Sequence, residues 1–130
     1  MKIGFSRADE TFRETVAQWM AEHLSGEFSP LRFRGGPGDE HSFPEERKAW
    51  ERELASGGWI GVGWSAEHGG GGLSISQQVI FHEESARAGG PGRMGHIGEG
   101  LVGPTLAAFG TPAQQQRLLP CLLYTSDAAD

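Results

Sequence analysis

Cysteine and tyrosine are nearly missing: the 130 residues hold one of each, Cys121 and Tyr124, both within the last ten positions. A single cysteine excludes a disulfide framework and an all-cysteine metal site built within the chain. Basic residues are also scarce, 11 against 17 acidic ones for a formal charge of -6, and no basic stripe offers a surface to nucleic acid. No apolar run approaches the roughly 20 residues of a membrane span. The start, "MKIGFSRADETF", lacks the apolar centre of a secretory signal. These absences predict a cytoplasmic protein. No two segments alternate cleanly enough to pair as strands, so the expected fold class is all-α. Glycine is abundant instead, with 21 residues in clusters that suit tight connections between elements.

Helix signals fill the rest. In "TFRETVAQWMAEHL" the residues Phe12, Val16, Trp19, Met20 and Leu24 recur at steps of three and four, and Thr11 with Glu14 has capping-box spacing. "SGEFSPLRFRGGPGDEH" reads as a long connection. "SFPEERKAWERELASGG" repeats the box at Ser42 and Glu45, with Pro44 in the first turn and an apolar stripe of Phe43, Trp50 and Leu54. Gly57 and Gly58 suit its end. "WIGVGWSAEHGGGG" has too many glycines for a strand and predicts a packed irregular segment anchored by Trp59 and Trp64. In "LSISQQVIFHEESARAGG", Ser74 and Gln77 cap a helix expected to place Ile75, Val79, Phe81, His82 and Ala86 inside. "MGHIGEGLVGPTLAAFG" predicts a small-residue helix in two parts, broken or kinked at Pro104. "TPAQQQRLLP" then opens a further helix, with Thr111 and Gln114 as its box and Pro112 first.

Few constellations suggest chemistry. Glu83 and Glu84 are adjacent, but neighbours on a helix point about 100° apart, so the pair is not expected to share a site. Arg87, one turn after Glu83, predicts an ion pair with it. The five histidines show no ligand spacing on a common face, so no metal site is expected, and His68 and His82 read as packing or hydrogen-bonding residues. "GGGG", Gly69 to Gly72, follows no strand and precedes no Lys-Ser or Lys-Thr; it reads as a chain reversal, not a phosphate loop. Gly95, Gly98, Gly100 and Gly103 thin one side of their helix, for close helix packing or for the approach of an apolar ligand.

Four stretches in order, "LASGGWIGVGWSAEHGGGG", "QQVIFHEESARA", "GHIGEGLVGPTLAAFGT" and "TPAQQQRLLP", resemble the N-terminal helical domain of the acyl-CoA dehydrogenase family. The similarity covers most of residues 10 to 120. Ser65 departs from it, standing where the family usually has proline. "FRGGPGDEH" is similar to a branch found in actinobacterial lipid and steroid catabolism. The resemblance implies an all-α N-terminal domain whose β domain and C-terminal helical bundle lie outside this chain. It implies oxidation of a fatty-acyl or steroid-side-chain CoA thioester to the 2,3-enoyl form. In such enzymes a carboxylate removes the α-proton while the β-hydrogen leaves as hydride to the flavin of FAD. The family places the catalytic glutamate and most flavin contacts in later domains, so no catalytic or cofactor-binding residue is expected here, and this chain alone should not bind FAD. It also implies a homo- or hetero-oligomeric parent, and an acyl-chain contact made by Ile97, Leu101 and Val102. The alternative is a non-enzymatic helical interaction module.

The ending departs from that family pattern. Where a "SEPGAGSD"-like flavin segment would be approached, the chain reads "CLLYTSDAAD". Those ten residues are a translation of the tail of a common transposase-based sequencing adapter. The expected division is therefore residues 1–120 as the helical domain and 121–130 as a non-native tail, in which Cys121 and Tyr124 have no role and which joins no core. Without the other domains, Leu101, Phe109, Leu118 and Leu119 should be left in water. That exposure could forfeit about 5–10 kcal/mol, comparable with a whole domain's stability. The expectation is a marginal, association-prone chain.

Overall fold

In the computed structural model, residues 4–124 are described, and every regular element among them is helical. The elements are α1 (Arg7–His23), a 3-10 turn (Gly26–Leu31), α2 (Pro44–Ser56), a second 3-10 turn (Ala66–His68) and α3 (Ile75–Ala88). A π turn (Gly98–Val102), α4 (Gly103–Phe109) and α5 (Pro112–Tyr124) complete the chain. Among the described residues they divide into two units, the first made of residues 4–43 and 74–92, the second of 44–73 and 93–124.

In the first unit, α1 packs along α3. Val16, Met20 and Leu24 are buried as their spacing predicts. The helix begins earlier than expected, because Ser6 and Asp9 form the capping box: Ser6 Oγ accepts from Asp9 N at 3.1 Å, and Asp9 Oδ2 accepts from Ser6 N. Thr11 lies inside the helix and its hydroxyl donates to the Arg7 carbonyl. The Arg32 guanidinium donates twice to the Leu24 carbonyl, at 2.8 and 3.2 Å, closing an orphan acceptor near the end of α1.

Helix α3 starts at the predicted Ser74–Gln77 box and ends at Gly89, whose φ of 83° is the left-handed stop that glycine permits. Its inward face differs from the expected one. Ile80, Phe81 and Glu84 are buried, while Ile75 (77 % exposed), Val79, His82 and Ala86 face outward. Both faces carry apolar residues, so periodicity alone does not choose between them; the buried ion pairs of Glu84 mark the inner one.

In the second unit, Trp50 and Leu54 bury the predicted stripe of α2, with Arg47 and Glu51 buried beside them. Phe43 lies before the helix, at a φ of 50°, and Pro44 is its first residue. Gly58 turns the chain at a φ of 80°, and Trp59 N donates back to the Leu54 carbonyl. Trp59 to Ser65 is irregular, as the glycines predict, and the reversal at Gly69 to Gly72 lays Gly71, Gly72 and Leu73 against Gly61, Trp64 and Val62 through three backbone hydrogen bonds. A Cβ on Gly70 would stand 2.3 Å from the Trp64 Cβ and 2.4 Å from its carbonyl oxygen, so only glycine allows this approach.

Pro104 neither breaks nor ends its helix. It sits at the start of α4, just after a π turn in which Gly103 N donates to the Gly98 carbonyl. The wide turn takes up the irregularity expected at the proline. The predicted Thr111–Gln114 box opens α5, and the Gln115 side-chain amide donates to the Leu106, Ala107 and Gly110 carbonyls, tying α5 to the end of α4.

Two expectations about the ending fail. Leu119 is 1 % exposed, not left in water, and α5 runs past Pro120 to Tyr124 with Leu123 buried at 5 %. Pro120 lies inside α5, and Leu123 enters a space that the side-chain-free Gly61 and Gly69 leave open. Leu118, Leu101 and Phe109 are exposed as expected, Phe109 at 87 %. Residues 125–130 of the expected tail lie outside the described residues. No helix among the described residues is long and apolar enough to cross a membrane.

Candidate acyl-chain contact face

The helix that carries the predicted contact residues is held at its start by a cluster of charge. Glu51 Oε1 accepts from Arg93 Nε at 2.8 Å, from Met94 N at 3.1 Å and from Gly95 N at 3.0 Å. Arg93 also pairs with Glu99 through Nη2. Glu99 reaches back with its other oxygen, which accepts from Gly61 N at 2.8 Å, and its carbonyl accepts from the Trp64 indole at 2.9 Å. Three otherwise orphaned backbone N–H groups are satisfied in this way.

The glycines of this helix divide by side. Gly98, which opens the π turn, and Gly103, which follows it, are buried, and a Cβ on Gly103 would meet the Trp64 ring at 2.0 Å. That is the close packing named above as one of two readings. Gly100 faces open space. Ile97, Leu101 and Val102 are 50, 63 and 44 % exposed, and their spacings of four and five put them on one side of a π turn. The sequence-predicted contact residues are all exposed apolar side chains, on a helix that Gly103 seats on Trp64.

Glu83 and Glu84 do share a partner, contrary to expectation. Arg13 Nη1 donates to Glu84 Oε1 at 2.7 Å and Nη2 to Glu83 Oε2 at 2.9 Å, because a forked guanidinium can span two carboxylates that diverge from one helix. Arg87 pairs with Glu84 at 3.0 Å, not with the expected Glu83. These hydrogen bonds hold the Arg13 guanidinium above its usual pKa. The arrangement is structural: each carboxylate faces a fixed cation. His82 is exposed and lies edge-on to Phe81, while His68 is largely covered and 3.4 Å from Glu67. Among the described residues no group of three or more His, Cys, Asp or Glu could hold a metal ion. An open cleft of about 470 Å³ lies between the second 3-10 turn and α5, lined in part by His68, Gln115, Leu119 and Leu123.

Sequence reasoning missed Glu51, Arg93 and Glu99. A signal existed: Arg47 and Glu51 fall on the same stripe of α2 as Trp50 and Leu54, and charges on a core-facing stripe need partners.

Residues 6–125 match the profile of the acyl-CoA dehydrogenase N-terminal domain. The chain belongs to the acyl-CoA dehydrogenase family. It is 54% identical over 111 residues to acyl-CoA dehydrogenase IpdE1 of Mycobacterium tuberculosis, covering 85% of this chain and 29% of that protein. It is 51% identical over 118 residues to IpdE1 of Mycolicibacterium smegmatis, covering 91% and 30%. Among solved structures it resembles the Tcur3481–Tcur3483 steroid acyl-CoA dehydrogenase, with a TM-score of 0.75 at 31% identity over 95% of this chain and 30% of that one. The ChsE4–ChsE5 complex of M. tuberculosis gives 0.73 at 27% identity, over 100% and 30%. The chain spans about three tenths of the length of these relatives.

Proposed function

We propose that this chain is the N-terminal part of an enzyme that oxidises an acyl-CoA thioester to its 2,3-enoyl form in lipid or steroid side-chain catabolism. In that reading Ile97, Leu101 and Val102 contact the acyl chain. The observation that carries the contact is the outward apolar face of the π turn, large side chains exposed on a backbone fixed from behind by Trp64 and Glu51. An apolar acyl chain laid there would leave water together with those side chains.

FAD would supply the hydride acceptor in the whole enzyme. The residues present here do not fit it: the glycine-rich stretch is packed on the chain's own Trp64, Val62 and Leu123, leaving no backbone cradle for a pyrophosphate. This chain alone should purify without flavin; a stoichiometric flavin absorbance would overturn that. We further propose that the parent is oligomeric, a reading supported by the two-protein assemblies among its structural relatives, and that residues 121–130 are adapter-derived.

The test is to recover the gene in frame beyond Pro120, express the parent and assay it on acyl-CoA thioesters of graded length and on a steroid side-chain thioester. Ile97→Ala and Leu101→Ala should raise KM for the bulkier substrates several-fold with little change in kcat, the pattern of lost ground-state binding. Equal effects on short and bulky substrates would remove the acyl-contact role. No dehydrogenation of any thioester would remove the enzyme reading and favour the interaction module.

A further inference from the structure

Glu99 stands in the π turn between Ile97 and Leu101, yet its side chain is only 19 % exposed. It is tied twice to the irregular segment from Gly61 to Trp64. Its Oε1 accepts from Gly61 N at 2.8 Å, and its main-chain carbonyl accepts from the Trp64 indole at 2.9 Å. A π turn would draw the donor for that carbonyl from five residues on, but that residue is Pro104, which has no N–H. Gly103 N is engaged by the Gly98 carbonyl, so the indole supplies the donor from outside the helix. Glu99 Oε2 pairs with Arg93, at the start of the same stretch. At the other end, Gly103 lies close against the Trp64 ring. One residue, through both its side chain and its main chain, therefore fixes the turn that carries Leu101 and Val102.

We propose that Glu99 is a positioning residue for the acyl-chain contact: it places Ile97, Leu101 and Val102, and through them sets which acyl groups the enzyme accepts, without itself touching substrate. This rests on the acyl-contact reading above. Apolar contact is non-directional, so Ile97, Leu101 and Val102 have no hydrogen bonds of their own to fix where they stand. Their placement is only as definite as the backbone beneath them. A bulky acyl group that extends to these side chains feels any displacement of the turn; a short one that stops before them does not.

The test is a series in the parent enzyme, Glu99→Gln, Glu99→Ala and Ile97→Ala, each assayed on a short-chain and on a steroid side-chain CoA thioester. Glutamine keeps an oxygen for Gly61 N but loses the ion pair with Arg93; alanine loses both side-chain ties. The expected result is a several-fold rise in KM for the bulky thioester alone, larger for Glu99→Ala than for Glu99→Gln, with kcat little changed. A loss of stability by itself would not discriminate between the two substrates. Equal changes on both, or a fall in kcat with no selective rise in KM, overturn the positioning role while Ile97→Ala still shows its own selectivity. If Ile97→Ala shows none, the acyl-contact reading fails and the positioning role fails with it. Should Glu99→Ala not fold, Glu99→Gln decides alone: an unchanged ratio of KM between the two substrates counts against the role.

Discussion

Around Arg13 two carboxylates reach one guanidinium from a single helix, whereas around Arg93 they arrive from separate segments, Glu51 on α2 and Glu99 in the π turn. The Arg13 cluster lies on a pair of long helices already held by Val16, Met20, Ile80 and Phe81, and Glu83 and Arg87 are open to water. There the ion pairs add register to an apolar contact. The Arg93 cluster stands where regular structure is missing, and its carboxylates accept from backbone N–H groups that no helix or sheet would satisfy. The same residue types thus decorate one unit and replace secondary structure in the other.

If that contrast holds, removing one carboxylate should have very different costs. Glu51→Ala strands the Met94 and Gly95 amides and one side of Arg93, and should destabilise the chain by about 3–5 kcal/mol. Glu83→Ala removes a half-exposed partner and should be nearly silent. Paired denaturant titrations decide it: equal losses would erase the distinction between the two clusters.

The second test concerns Leu123, which the adapter reading places outside the protein yet the structure buries against Gly61 and Gly69. Leu123→Ala should cost about 2–3 kcal/mol, the lower part of the range for buried leucine, because adjoining space lets neighbours relax. A chain ending at Pro120 should lose at least as much. No change in either would mean that the segment contributes nothing to packing. A native role in stability and a foreign origin are compatible, since a glycine-lined gap accepts an apolar side chain whatever gene encodes it.

Local grammar was what the sequence made legible. Ser74 with Gln77 and Thr111 with Gln114 form boxes because both partners lie within four residues, and Gly58 and Gly89 stop helices by their own conformational freedom. Ser6 rather than Thr11 caps α1, because Asp9, three residues on, closes a box upstream of the one the spacing of Thr11 and Glu14 suggests. The inward face of α3 was hidden, since Ile75, Val79 and Ala86 make as good a stripe as Ile80 and Phe81. The deciding contact, Arg13 to Glu84, spans 71 positions. The acyl-contact face was located by family resemblance, but its Glu51 anchor links segments 43 and 44 residues apart that no spacing rule connects.

A smaller effect should separate the glycines of the two units. Gly103→Ala would push a methyl into the Trp64 ring and the Gly98 carbonyl, neither of which can step aside freely, at a cost of about 1–3 kcal/mol. Gly89→Ala must adopt a left-handed φ and meets the Phe33 ring at 3.0 Å, but that ring is largely exposed and can swing away. Its cost should be about 1–2 kcal/mol from backbone conformation alone. Thermal midpoints in the order wild type, Gly89→Ala, Gly103→Ala, from highest to lowest, fit this account; the reverse order would show that the indole in the second unit is looser than its contacts suggest.

The smallest effect belongs to the loop from Arg34 to Phe43, the most water-exposed of the charge clusters. Asp39 accepts from Arg34 Nε at 2.9 Å, from Gly35 N at 2.8 Å and from Ser42 Oγ, and Arg34 also lies over the Phe43 ring. The Arg34 guanidinium first, then the Ser42 and Gly35 hydrogen bonds, hold the Asp39 carboxyl well below the usual carboxylate range. A lowered folded-state pKa means that the unfolded chain takes up the proton first. The tether therefore contributes fully above the unfolded value of about 3.9 and is lost progressively as pH falls below it, toward the lower folded value. At neutral pH the loop should be insensitive to pH. A carboxyl NMR titration should place the Asp39 midpoint clearly below that of an unstructured aspartate, and Arg34→Ala should move it back up toward the ordinary range. An Asp39 midpoint near 3.9 in the unaltered chain, or one that ignores Arg34→Ala, would show that solvent screening cancels the pair and that only the Arg93 cluster carries structural weight.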